Sequence, residues 1–410
     1  MKNLIKIKRA LISVSDKFFL KNILSILLKY KVEIISSEGT YKEIKKLGFK
    51  SIKIANFTGL KEMFDGRVKT LHHKIHAGIL NIRNNKKHKL DLIKNNFEEI
   101  DLVIVNFYPF EKKIKKNFRE IVENVDIGGP TLVRAAAKNF NYVVPITSPE
   151  NYNCFIEEMN KYKGSTSLAF REKMATNTFN NIAHYDSLIA NYFNNKFDVI
   201  FPSKKTFSGK LIEELRYGEN PHQKGAIYFT EDNFGLKQLH GKKLSFNNYN
   251  DIFSALSISK SYKKNIGSVI IKHTNPCGAS MESNNLRSFK LAFDCDPLSA
   301  YGGIVSCNFK IKKVLALQMK KKFFEVIISN GFDKDALNIL KEKKNIRLID
   351  SSSSQIKKNI SLLFYNDVFL YQDSDNLIIS KKNLEVVSKK KPSKHEIESL
   401  IFAFSICKYV

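Results

Sequence analysis

Short apolar runs alternate with helical periods through the first half of the chain. ALISVS (Ala10–Ser15) reads as a strand, and FFLKNILSILLKY (Phe18–Tyr30) carries apolar residues at the spacing of a helix with one buried face. VEIISS follows as a strand, YKEIKKLG as a short helix stopped by Gly48, and SIKIA as another strand. LVIVNFYPF and NYVVPIT are nearly continuous in apolar character. Strands without polar alternation are buried on both faces, which predicts a parallel sheet covered by helices, an α/β fold. REKMATNTFNNIAHYDSLIANYF predicts one long amphipathic helix, and FNNKFDVIFPSKKTF after it predicts a domain boundary near residue 200.

The second half restarts with RYGENPHQKGAIY, a turn-rich loop entering a strand, and alternates again through SVIIKHTNPCG, DPLSAYGGIVSCN and FFEVIISNGF. SSSSQIKKN, Ser351 to Asn359, predicts a surface loop. ESLIFAFSICKYV is an apolar helical pattern up to the last residue, and such a helix has to pack against something.

Composition narrows the class. A chain of 410 residues with 43% hydrophobic and 26% charged residues forms two or three cored domains rather than a disordered polymer. The net charge of +28 invites a nucleic-acid reading, but the excess is dispersed lysine without clustered arginines or stacking modules. No specific nucleic-acid binding is therefore expected. Five cysteines without a C-x-x-C pair predict reduced thiols and no cysteine zinc cage. With no signal-peptide core and no apolar run of membrane-spanning length, a soluble, cytoplasmic protein is expected, without a membrane partner.

Candidate chemistry concentrates in a few loops. RVKTLHHKIHAG packs Arg67, Lys69, Lys74 and three histidines together. His72, His73 and His76 lack the glutamate and the spacing of a zinc motif, so no metal is expected. Arg67 and Lys69 occupy alternate positions after Asp65-Gly66, on one face if extended, and suit a phosphate; a solvated basic loop is the plain alternative. SVSDK and SSEGT sit where strands meet helices, the usual place for phosphate in parallel folds. In VDIGGPTLVRAAAKN, Gly128 and Gly129 permit close backbone approach, and Arg134 and Lys138 share a helix face. Asn106 and Tyr108 lie at the end of the LVIVNFYPF strand.

SVSDK, DGRVKTLH, VNFYPF and DIGGPTLVRAAAKN, in this order, resemble the IMP cyclohydrolase domain of the bifunctional purine-biosynthesis enzymes. LRYGENPHQ, LHGKKLSFNN, IKHTNPCG and DPLSAYGGI resemble the AICAR transformylase half of the same family, so the likeness spans essentially the whole chain. It implies a methylglyoxal-synthase-like α/β domain over residues 1–198, and a zinc-free, cytidine-deaminase-like α/β transformylase domain over 199–410. It implies two reactions: formyl transfer from the co-substrate 10-formyltetrahydrofolate to AICAR, giving FAICAR, and closure of FAICAR to IMP. A homodimer acting on these small molecules is implied with them.

By the same resemblance, Lys69, Tyr108, Asp126 and Lys138 carry the cyclisation. Ser13, Ser15, Lys17, Ser37, Gly39, Thr40, Arg67 and Thr70 hold the ribose phosphate and base, and the histidines are structural. For formyl transfer, a neutral imidazole at His273 can take the amino proton while the ammonium of Lys272 stabilises the oxyanion. Arg216, Tyr217, Asn220 and His222 resemble the AICAR-contacting loop, with Asn247 and Asn248 nearby. Asp296, Ser299, Gly302 and Gly303 resemble a further lining segment.

Some positions depart from the family pattern. Glu38 stands where a glycine is usual, and is expected to crowd and repel a phosphate. His73 and Ala77 replace a usual proline and glycine, and YNDVFLYQDSD lacks a usual arginine and glycine pair. The family pattern continues beyond CKYV, so the second deaminase-like unit is expected to be incomplete, with little or no formyl transfer. The alternative function is then a monofunctional IMP cyclohydrolase carrying an inactive transformylase remnant.

Overall fold

The computed structural model describes residues 3–108, 110, 117–230, 234–262, 266–354 and 360–410, without the side chain of Asp65. The chain divides into two compact units, Met1–Ser208 and Gly209–Val410.

In the first unit, alternation along each strand sorts side chains into two cores. Ala10, Ile12 and Val14 of strand Arg9–Val14, with Leu102 and Ile104 of strand Leu102–Asn106, meet Leu20, Ile23, Leu24 and Leu27 of helix Leu20–Lys29. Leu11, Val103 and Val105 point the other way, to Leu132, Val133 and Ala136 of helix Gly128–Lys138. Burying each of these Val, Leu and Ile side chains contributes roughly 1.5–3 kcal/mol, so both faces of the sheet are fixed by packing. Five parallel strands run in the order Ile52–Lys53, Glu33–Ser36, Arg9–Val14, Leu102–Asn106, Val144–Ile146. The order turns back at the two central strands, and the carboxyl ends of such a switch are where doubly wound sheets bind ligands.

Two segments differ from the sequence reading. SIKIA forms only a two-residue edge strand before helix Ile54–Thr58, because Ile54 and Phe57 are buried at helical spacing under the sheet. The helix of YKEIKKLG starts earlier, at Glu38, directly after Ser37. The expected long helix is Leu168–Lys196, and Pro145 lies on an edge strand, where a missing donor is tolerated.

The second unit holds six strands in the order Lys237–His240, Arg347–Asp350, Val326–Ser329, Ile304–Cys307, Ile266–Lys272, Asn275–Glu282. The middle three are parallel and the other pairings antiparallel. Helix Phe246–Ser259 covers one face; Asn285–Asp294, Lys313–Lys320 and Lys334–Lys341 cover the other. A β-carbon at Gly278 would sit 1.9 Å from the Ala292 carbonyl, so this glycine lets strand and helix close together. The apolar last segment is helix Lys394–Cys407, which touches the core through Phe402 and Ile406. Hairpin Ile360–Asp373 leaves Leu363, Phe364, Tyr365 and Leu370 exposed. Of the expected SSSSQIKKN loop, residues 355–359 lie outside the described residues.

Candidate functional site

At the switch point, Asn106 clips the loop after the first central strand. Its Oδ1 accepts from the Ser15 N–H at 2.6 Å, the Asp16 N–H at 2.9 Å and the Ser15 hydroxyl at 3.0 Å, while its Nδ2 donates to the Asp16 carbonyl. Ser13 donates to Ser37 at 2.9 Å, and Thr40 accepts the Val14 N–H at 3.0 Å. The hydroxyls of the first two loops therefore stand together, with Gly39 in the first helical turn and Lys17 exposed beside them. Glu38 turns to Lys53 at 3.2 Å and Lys42 at 3.8 Å, so its charge is met by two cations.

Met63 and Val68 bridge across a turn at Phe64–Gly66 and present the basic stretch. Arg67 has helical rather than extended backbone, and its exposed guanidinium pairs with Glu123. Lys69 and Thr70 meet the start of helix Gly128–Lys138. A β-carbon on Gly128 would lie 2.3 Å from Thr70 Oγ1, and one on Gly129 would lie 2.5 Å from Asp126 Oδ2. Asp126 accepts the Gly129 N–H at 2.9 Å. Burial pushes its carboxyl above the usual range, while the Gly129 N–H and the Lys69 ammonium pull it back. A carboxylate so placed is a better proton acceptor than an exposed one.

Tyr185 connects the two groups, a link that sequence reading missed because the residue lies inside a long helix. Its ring is 5.1 Å from Phe107, whose carbonyl accepts from Ser15, and its hydroxyl accepts the Asp126 N–H at 2.8 Å. Tyr108 is part-exposed beside Phe107. Lys138 stands apart: ten residues of helix put it about 15 Å from Gly128. There it lines a shallow concavity with Glu172, Thr176 and Phe179, and Arg134 on the same face lies over Phe179.

The histidines serve the local fold. His72 caps helix His73–Leu80 by accepting the Lys74 N–H and stacks on His73, which contacts Phe97. Burial lowers both His72 and His76 below the ordinary histidine value. A lowered folded value means that stability is held above about pH 6.5 and lost as pH falls toward the folded value. The unfolding midpoint should therefore drop between pH 7 and 5, and His76→Asn should flatten that drop; an equal slope in the variant would remove His76 as its source. Among the described residues, no group of three or more His, Cys, Asp or Glu could hold a metal ion.

The second unit gathers its candidates along one sheet edge. Lys272 ends its strand beside the starts of the strands led by Gly303, Glu325 and Ile346. Its ammonium donates to the Tyr301 carbonyl at 3.1 Å, and Gly302, at φ 71°, leaves room for it. His273 and Thr274 form the turn with φ of 52° and 65°, and Thr274 donates to Asp251 at 2.7 Å. Left-handed backbone at two non-glycine residues costs about 1–3 kcal/mol each and concentrates at functional sites.

Asn247 donates to the Glu219 carbonyl, tying helix Phe246–Ser259 to the loop of Arg216, Tyr217, Asn220 and His222. That loop closes on itself through Gly218 and Gln223. Asn248 donates to Glu325 at 3.1 Å, and Arg347, close enough to feel the Arg216 charge, lies 3.9 Å from the same carboxylate. Sequence reading missed Glu325, Arg347 and Asp251, which no site motif singled out and which converge only through strand register and helix docking. Asp296 stands on a neighbouring loop, held down in pKa by the Ser299 hydroxyl and N–H.

Comparison with known proteins matches residues 136–410 to the AICARFT/IMPCHase bienzyme family and residues 20–131 to the MGS-like domain. A bifunctional purine biosynthesis protein PurH from Thermoanaerobacter sp. (strain X514) is 40% identical, over 98% of this chain and 80% of that protein. A PurH from Acetivibrio thermocellus is 42% identical over the same shares. A solved chain titled "Crystal structure of ForH" overlaps 45% of this chain and 98% of its own length at 30% identity, with a TM-score of 0.41. No helix among the described residues is long and apolar enough to cross a membrane.

Proposed function

The chain belongs to the AICARFT/IMPCHase bienzyme family, and on that premise we propose how its two units share the work. It is a bifunctional enzyme of purine biosynthesis, an AICAR formyltransferase and IMP cyclohydrolase. The first unit closes FAICAR to IMP. Its serines and Thr40 at the strand ends receive the ribose phosphate, with Arg67 free to exchange an exposed partner for it, since surface pairs hold weakly. The carboxamide nitrogen attacks the formyl carbon; Asp126 takes the nitrogen proton, and Lys69 stabilises the oxygen on which charge develops. Tyr108 borders the same site, and Lys138 with Arg134 remains a separate candidate at the far end of the helix.

Against the expectation of little or no formyl transfer, and on the strength of a match that spans 80% of the PurH relatives' length, the second unit formylates AICAR with 10-formyltetrahydrofolate. Arg216, Tyr217, Asn220, His222, Asn247 and Asn248 hold the nucleotide, while Asp296, Ser299, Gly302 and Gly303 line the neighbouring edge. The 5-amino nitrogen attacks the formyl carbon, His273 receives the nitrogen proton, Lys272 supports the oxyanion, and tetrahydrofolate leaves. Neither step uses a metal. A homodimer in the cytoplasm completes the proposal.

The observation that carries this reading is the meeting of Lys69, Thr70, Asp126, Gly128 and Gly129 beside the switch-point loops. The full chain should turn FAICAR into IMP in the presence of EDTA. A fragment of residues 1–208, which owns both cores of the first unit, should do so at a comparable rate. A folded fragment without IMP formation would refute the placement.

A further inference from the structure

We propose that Asp251 is a positioning residue for formyl transfer, holding the His273–Thr274 turn in a conformation these residues do not adopt unaided. This rests on the reading of His273 as proton acceptor. Strands Ile266–Lys272 and Asn275–Glu282 are joined by two residues only, and positive φ at both is the signature of a type I′ turn. Such turns take Asn-Gly or Asp-Gly. Histidine followed by a β-branched threonine is an unfavourable occupant, and Thr274 at φ 65° is an outlier for its residue type.

The surrounding structure must therefore impose the geometry, and two features do so. A register shift at Ile270 and Ile271 leaves an extra residue on the facing strand just before the turn, which bends it. Asp251, six residues into helix Phe246–Ser259, accepts the Thr274 N–H at 2.7 Å. The same helix begins with Asn247 and Asn248, which engage Glu219 of the Arg216 loop and Glu325. One rigid element thus fixes the nucleotide loop at its first turn and the imidazole at its second. A displacement of about 1 Å between acceptor and nucleophile is enough to cost on the order of a hundredfold in rate.

The test uses the full chain with Asp251→Ala and Asp251→Asn, since the amide oxygen of asparagine can still accept the Thr274 N–H. Two properties are read: kcat and KM of formyl transfer, and the imidazole resonances of His273 in protein labelled at histidine. Asp251→Ala should lower kcat roughly ten- to a hundredfold with KM for AICAR within about twofold, and shift and broaden the His273 resonances. Asp251→Asn should restore most of both, and IMP formation by the first unit should be unchanged in each. Wild-type resonances in Asp251→Ala, or an asparagine variant as impaired as alanine, would overturn the proposal. His273→Ala separates the premise: full turnover without the imidazole refutes the proton-acceptor reading, and the resonances then still decide Asp251.

Discussion

Replacing Lys69 with alanine in the full chain will slow conversion of FAICAR to IMP by about a hundredfold or more, the usual cost of removing one preorganised donor from a developing oxyanion. Lys69 is half-buried beside Thr70, whose hydroxyl fills the space that a side chain on Gly128 would need. In the proposed reaction its ammonium meets the oxygen on which negative charge develops, and its charge also acts on Asp126. Burial raises the Asp126 carboxyl, and Lys69 is one of two groups opposing that rise. Its removal should therefore move the acid limb of the rate profile to higher pH as well as lower the plateau. Rates within threefold of the parent, with an unmoved acid limb, would take Lys69 out of the mechanism.

The second large effect concerns stability. Arg171 is fully buried, and its guanidinium donates to the carbonyls of Phe140 at 2.8 Å, Thr166 at 2.6 Å and Asn3 at 3.3 Å. Burial lowers it to about 10, so it still carries its charge near neutrality. Arg171→Leu removes that charge and strands three carbonyl groups at about 1–3 kcal/mol each, partly offset by the relief of ion burial. A net loss of about 3–5 kcal/mol should lower the Tm of the first unit by roughly 6–20 °C. A shift below about 2 °C would mean that water replaces the guanidinium at those carbonyls.

Much of this architecture was legible because burial on both faces leaves strands such as LVIVN without polar alternation, and because FFLKNILSILLKY keeps a helical period. The motif loops were legible as places where strands meet helices. Convergence was not. Nothing in the sequence says that Tyr185, in the middle of a 29-residue helix, hydrogen-bonds Asp126, or that Glu325 and Arg347 face Asn248. Those contacts follow from register and helix docking, which set distances between residues far apart in the chain. The alternation of Arg67 and Lys69 misled because the turn ahead of them leaves Arg67 helical rather than extended. The spacing of Arg134 and Lys138 correctly gave one shared face, but not that Lys138 lies at the far end of the helix from Asp126.

The pairing of Arg9–Val14 with Leu102–Asn106 has a consequence during synthesis. The innermost strand of the first sheet leaves the ribosome before one of its two neighbours has been made. At about 5–20 residues per second, the intervening ninety or so residues take roughly 5–20 s to emerge. During that interval RALISV can pair with Glu33–Ser36 on one side only, leaving an apolar edge open to any other extended chain. Nascent chains halted before residue 102 should therefore engage chaperones or associate with one another, and release should come once the Leu102–Asn106 strand has cleared the exit tunnel.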